Sequence, residues 1–151
     1  VDAVNNHQKF VLLEKLKQQF SDKLNGLTIA LWGLAFKPRT DDIREAPALV
    51  LIDQLLALGC RLQVHDPEAL KNVQSQYGDK LRYATSPLDA LEGVDALCIN
   101  TEWGDFRNPD FEEMKRRLKL PIIFDGRNLY EPETMRGYGF IYHSIGRVPV
   151  Q

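Results

Sequence analysis

The sequence is poor in the residues that make self-contained active sites. It has two cysteines and three histidines in 151 residues. No CxxC, HExxH or clustered His/Cys pattern occurs, so no metal site is expected. No nucleophile stands beside a base, and no two carboxylates have a recognisable catalytic spacing. The glycine fingerprint G-x-G-x-x-G of dinucleotide-binding folds is missing. No apolar run approaches the length of a membrane span, and no signal peptide opens the chain. Charge bias is missing as well. Nineteen basic against 21 acidic residues give a net charge of −2, so no overall basic field draws the chain to nucleic acid or to an anionic membrane. Cys60 follows a helix-ending glycine and Cys98 lies in the apolar run ALCIN. Both read as small buried hydrophobes, and two cysteines without a secretory signal suit a reducing, cytoplasmic setting.

The first residue is Val1 rather than Met, and VDAVNNHQKF reads as the interior of something longer. A fragment of a larger protein, one domain in size, is the expectation. Its 44% hydrophobic and 26% charged content is that of an ordinary globular domain.

The periodicity is informative. Residues 3–24 place Val4, Phe10, Val11, Leu13, Leu16, Phe20 and Leu24 at helical spacing, ended by Asn25-Gly26. TIALWGL (28–34) reads as a buried strand, and 46–58 as a helix with Pro47 in its first turn and Gly59 after its end. RLQVHDP (61–67) is a second strand broken at Asp66-Pro67. A short helix over 68–77 and a strand over 81–85 follow. Ser86-Pro87 opens another helix. VDALCINT (94–101) is a continuous apolar strand of the kind buried on both faces of a parallel sheet. A helix over about 110–118, a strand over 121–126, a helical turn over 132–137 and a strand over 140–146 complete the pattern. Strands alternating with helices through short connections predict a Rossmann-like, three-layer α/β/α domain. Its mostly parallel sheet has about five or six strands and is preceded by an N-terminal helix.

In such sheets ligands bind at the carboxyl ends of the strands. Four stretches qualify: 33–45, 65–67, 101–106 and 125–128. The first, GLAFKPRTDDIRE, offers small residues for close approach, an aromatic face at Phe36 and a point charge at Lys37. Asp41, Asp42 and Arg44 follow. A carboxylate there can cap the next helix, and Arg44 can pair with Asp41 or Asp42, or reach a phosphate. Arg127, in FDGRN, follows a buried strand and points toward the Lys37 loop. Two cations in one crevice suit a diphosphate; the competing reading pairs Arg127 with a surface acid. Asp66 reads as a turn-former before Pro67, because ribose binding by such an acid needs the missing glycine fingerprint. Trp103 packs under the crevice, and Glu102 touches ligand or pairs with a base.

GLAFKPRTDDIREAP resembles the C-terminal domain of the nucleotide-sugar 6-dehydrogenases, the UDP-glucose/GDP-mannose dehydrogenase family. NNHQK (5–9), NTEWGDFRNPDF (100–111), FDGRNLY (124–130) and GFIYHSIGR (139–147) agree, so the resemblance covers nearly the whole chain. It implies two Rossmann-like domains joined by a central helix: an N-terminal domain holding NAD, a central segment with a catalytic cysteine, and a C-terminal domain holding the UDP-sugar. It also implies oxidation of the sugar C6 alcohol to a carboxylate in two hydride transfers, through a cysteine thiohemiacetal and thioester. By position, Phe36, Lys37 and Arg127 match residues that contact the UDP-sugar, and Arg44 matches one that reaches the NAD. Residues 1–24 then correspond to the end of the central helical region and 25–151 to the UDP-sugar-binding domain. No catalytic residue is expected within this chain, so the chain alone is expected to be inactive. The expected partners are its own N-terminal domain and, for the intact enzyme, a second copy in a homodimer or larger assembly. DGRNLY favours UDP-glucose as substrate. The alternatives are a sister enzyme acting on UDP-N-acetylmannosamine or GDP-mannose, and a nucleotide-sugar-binding module without catalysis.

Overall fold

A computed structural model describes residues 2–35, 37–44 and 46–151, with side chains from Phe10 onward. The apolar runs TIALW, ALCI and IIFD become β1 (Thr28–Trp32), β4 (Ala96–Ile99) and β5 (Ile122–Asp125). They are joined by β2 (Arg61–His65), β3 (Arg82–Tyr83) and β6 (Ile141–His143). The six strands form one sheet in the order β3-β2-β1-β4-β5-β6, and every strand pairing is parallel. β1 is flanked by β2 and β4, with Ile29 opposite both Leu62 and Ala96. The chain therefore winds outward from β1 to β3, then returns to the other side of β1 at β4. The gap between β1 and β4 is the topological switch point, where the loops leaving the two strands diverge and open a crevice.

Successive residues on a strand face opposite sides, so the sheet separates two cores. Ile29 and Leu31 join Leu62, Val64, Cys98 and Phe124 under α1 (Asp2–Gln19) and α2 (Pro47–Ala57). Ala30 and Trp32 join Leu97, Ile99 and Ile123 under α4 (Phe111–Arg117) and α5 (Pro132–Tyr138). The remaining helix, α3 (Leu70–Tyr77), buries Val73 and Tyr77 in the first core. α4 begins where the Asp110 carboxylate accepts the Glu113 N–H at 3.1 Å, and its acidic first turn and basic last turn complement the helix dipole. Among the described residues no helix is long and apolar enough to cross a membrane.

The strands expected over 81–85 and 140–146 are shorter, Arg82–Tyr83 and Ile141–His143, and two helices differ more. The first helix ends at Gln19 rather than near residue 24. Ser21 and Asp22 take positive φ (52° and 62°) and the Asp22 N–H turns back to the Lys17 carbonyl at 2.9 Å, so the spacing of Phe20 and Leu24 continues past the helix into its closing turn. The helix expected after Ser86-Pro87 is only a 3₁₀ turn, Asp89–Leu91. Ser86 Oγ does accept the Asp89 N–H at 3.0 Å, but Gly93 at φ 71° turns the chain toward β4 before a full helix can form.

Candidate functional site

The crevice is built from three loops, each held from below by a buried polar group. The first leaves β1. Gly33 has φ 91°, and a Cβ there would lie 2.6 Å from Thr101 Cβ and 2.8 Å from the Thr101 backbone nitrogen. Only glycine allows the two strand ends to approach so closely. Thr101 completes the junction by donating its hydroxyl to the Ala35 carbonyl at 3.0 Å. Asp66, 1% exposed at the end of β2, holds the same loop from the other side. Its Oδ2 accepts the N–H groups of Leu34 (2.7 Å) and Ala35 (3.1 Å), and its Oδ1 those of Glu68 (2.8 Å) and Ala69 (2.9 Å). Half of this is the turn expected before Pro67. The other half was not legible, because it joins residues 31 and 32 positions apart. The available signal was the location of an acid at the end of the strand beside β1.

Beyond Ala35 the loop is stabilised by its own side chains. Asn72 of α3 donates to the Asp41 carbonyl at 2.7 Å, and Thr40 Oγ1 accepts the Asp42 N–H at 3.1 Å. Asp42 accepts the Arg44 N–H and Nε–H, both at 3.0 Å, and Nη2–H at 2.9 Å. The hydrogen-bonded guanidinium holds the Asp42 carboxyl down at about 2, so the pair is ionised throughout the neutral range. Among the described residues no acid caps α2, whose N-cap is Ala46 without a side-chain hydrogen bond. Asp42 is directed to Arg44 instead, which resolves the two roles considered for it. The Arg44 side chain is 87% exposed and Lys37 is exposed. Phe36 lies outside the described residues.

The second and third loops leave β4 and β5. Asp125, fully buried, accepts the Arg127 N–H through Oδ1 at 2.9 Å, and the Leu129 N–H (2.7 Å) and Tyr142 hydroxyl (2.6 Å) through Oδ2. Burial and the adjacent Asp125 charge push the Tyr142 phenol far above its usual range, so it remains a donor. Asn128, at φ 54°, exchanges two hydrogen bonds with the Ile145 backbone. The loop that carries Arg127 is therefore rigid at its base. The Arg127 guanidinium donates through Nε to Glu102 Oε2 and Nη2 forms an ion pair with the same oxygen, so in this structure Arg127 takes the acid-paired arrangement. Trp103 is buried in the core on the α4 side, yet its Nε1–H and the Asn100 amide nitrogen have no partner among the described residues.

Lys37, Arg44 and Arg127 thus stand on loops at one end of the sheet. β1 and β5 flank β4 there, about 10 Å apart. Glu102 lies on the β4 loop between them; sequence reading left its role open. The cysteines are elsewhere. Burial raises the Cys60 thiol to about 11 and pushes the fully buried Cys98 higher still, so neither is a thiolate at neutral pH.

An all-parallel, doubly wound sheet defines a Rossmann-like α/β domain. The chain belongs to the UDP-glucose/GDP-mannose dehydrogenase family: residues 30–132 match that family's UDP binding domain. The UDP-glucose 6-dehydrogenase of Pseudomonas aeruginosa is 48% identical, aligning 97% of this chain with 34% of its own length. A UDP-glucose dehydrogenase structure from Pyrobaculum islandicum superposes with a TM-score of 0.80 at 27% identity, covering 97% of this chain and 31% of that one. A UDP-D-ManNAc dehydrogenase structure from Pyrococcus horikoshii gives 0.70 at 28% identity, over 92% and 30%. The chain spans about a third of the length of these relatives.

Proposed function

We propose that this chain is the UDP-sugar-binding domain of an NAD-dependent UDP-glucose 6-dehydrogenase, which oxidises UDP-glucose to UDP-glucuronate. The observation that carries this reading is the match of residues 30–132 to a UDP binding domain, a span that includes Lys37, Arg44 and Arg127. Lys37 and Arg127 bind the diphosphate, the first as a mobile point charge and the second as a planar fork. Phe36 lies against the nucleotide sugar. Residues 1–24 belong to the helical connection to an N-terminal domain, the intact enzyme is a cytoplasmic homodimer or larger assembly, and no catalytic group lies in this chain.

The fit of NAD to these residues is limited. The turn after β1 lacks the glycine fingerprint, and Asp66, at the strand end where a ribose-binding acid would stand, is saturated by four backbone N–H groups. The dinucleotide is therefore held mainly by the other domain, with exposed Arg44 as this chain's contribution. When bound, NAD supplies the hydride acceptor for the two oxidations. The residues of this chain bind and orient: rigid loop bases present Lys37 and Arg127 to the diphosphate, which fixes the sugar relative to the other domain. A sister enzyme acting on UDP-N-acetylmannosamine is the second reading, favoured by the superposition on the Pyrococcus horikoshii structure.

Calorimetry with UDP tests the site. Lys37→Ala and Arg127→Ala are each expected to weaken binding about tenfold or more, since hydrogen bonds to charged groups contribute about 1.5–3 kcal/mol. Given UDP-glucose and NAD, the chain alone is expected to form no NADH. Unchanged UDP affinity in both variants would remove the proposed contacts. NADH formation would place catalytic groups inside this chain.

A further inference from the structure

The Arg127 side chain is paired with a carboxylate whose contribution to the fold is small. Nε and Nη2 of the guanidinium both meet the single oxygen Oε2 of Glu102, rather than matching two nitrogens to two oxygens. The side chains are 39% and 25% exposed, and ion pairs in such settings contribute little to stability. The loop has other anchors: Asp125 fixes the Arg127 N–H and the Tyr142 hydroxyl, and Asn128 is tied to Ile145. Removing the Glu102 charge leaves all of these in place.

The effect of Glu102 falls on the crevice. It stands on the β4 loop, beside the switch point, and presents a negative charge where an anionic ligand would seek the guanidinium. Arg44 is also paired, but with Asp42 two residues earlier in the same loop, so that carboxylate travels with its arginine. Glu102 belongs to a different strand from Arg127. A phosphate oxygen approaching the Nε–Nη2 edge of Arg127 must therefore displace a carboxylate that stays anchored nearby.

We propose that Glu102 is a resident counter-ion that holds Arg127 in place and gives it up to the diphosphate of the nucleotide sugar, so that its charge limits affinity. This rests on the reading of Arg127 as a diphosphate contact. The carboxylate pre-orients the guanidinium across the strand ends and reduces the attraction of the crevice for small anions. A diphosphate, with several oxygens to offer, displaces it more readily than a single anionic group does.

The test uses Glu102→Gln, which keeps the shape and one acceptor oxygen but removes the charge, with UDP as the calorimetric probe. Glu102→Gln is expected to bind UDP about two- to fivefold more tightly than wild type, the scale of a partly exposed ion pair. Its thermal midpoint should stay within a few degrees of wild type. In an Arg127→Ala background the same substitution should give a much smaller gain. Equal or weaker UDP binding by Glu102→Gln, with wild type binding measurably, would overturn the counter-ion role; weaker binding would make Glu102 a direct contact of the nucleotide. An undiminished gain in the Arg127→Ala background would also overturn it, by reducing the effect to general charge repulsion. Failure of wild type to bind UDP would instead overturn the diphosphate reading, and this proposal with it.

Discussion

Asp66→Ala is expected to destabilise the chain by at least about 3 kcal/mol, measured from the urea midpoint at constant slope. The carboxylate is 1% exposed and accepts four backbone N–H groups. Each is a charge-assisted bond inside the protein, where a donor left unpaired costs about 1–3 kcal/mol. The loss exceeds that of an ordinary turn residue because one side chain serves two loops. Asp66→Asn should be intermediate. An amide has one acceptor oxygen, so one pair of donors keeps its partner while the other pair faces an NH₂ group. The expected order is wild type, Asn, Ala, with loosening of the β1 loop reported by faster amide exchange at Leu34 and Ala35. A loss below about 1 kcal/mol in Asp66→Ala would mean that water or a rearranged loop satisfies these donors.

Gly33→Ala should be nearly as damaging, by about 2–5 kcal/mol. A non-glycine residue at φ 91° costs about 1–2 kcal/mol by itself. The added methyl would also lie 2.6 Å from Thr101 Cβ and 2.8 Å from the Thr101 backbone nitrogen, and overpacking of a closed site costs about 1–3 kcal/mol. The backbone contact sets the size of the effect, because a backbone atom cannot rotate away as a side chain can. Thr101→Ser in the same background keeps Cβ, Oγ1 and the backbone nitrogen, the three atoms the added methyl would meet, so it should not restore stability. Wild-type stability in Gly33→Ala would show that the β1 and β4 loops separate freely, which conflicts with a rigid crevice base.

These two positions also show how far the sequence was informative. The strands were legible because TIALW, ALCI and IIFD are continuous apolar runs, a pattern that fits a sheet covered on both faces. The cationic loops were legible because the alternation of elements gives the strands their direction, and so fixes which ends gather the polar residues. The end of α1 was not, since Phe20 and Leu24 keep helical spacing while the backbone has already turned at Ser21 and Asp22. Nor was the 3₁₀ turn Asp89–Leu91, where the N-cap signal of Ser86 is present but Gly93 follows too soon. Long-range partners were the least legible. Glu102 and Arg127 are 25 residues apart, and Asp66 and Leu34 are 32 apart. Each pair meets only because of the strand order in the sheet, which local pattern does not encode.

The chain is expected to bind a nucleoside diphosphate sugar at the carboxyl ends of β1, β4 and β5. The most direct measurement follows the backbone amide signals of the isotopically labelled chain during titration with UDP-glucose. The predicted result is saturable shifts concentrated in residues 33–46, 100–106 and 125–130, with saturation moved to about tenfold or more higher ligand concentration in Arg127→Ala. Shifts gathered at the opposite strand ends, around Thr28, Arg61 and Arg82, or no shifts at all in a folded sample, would contradict it.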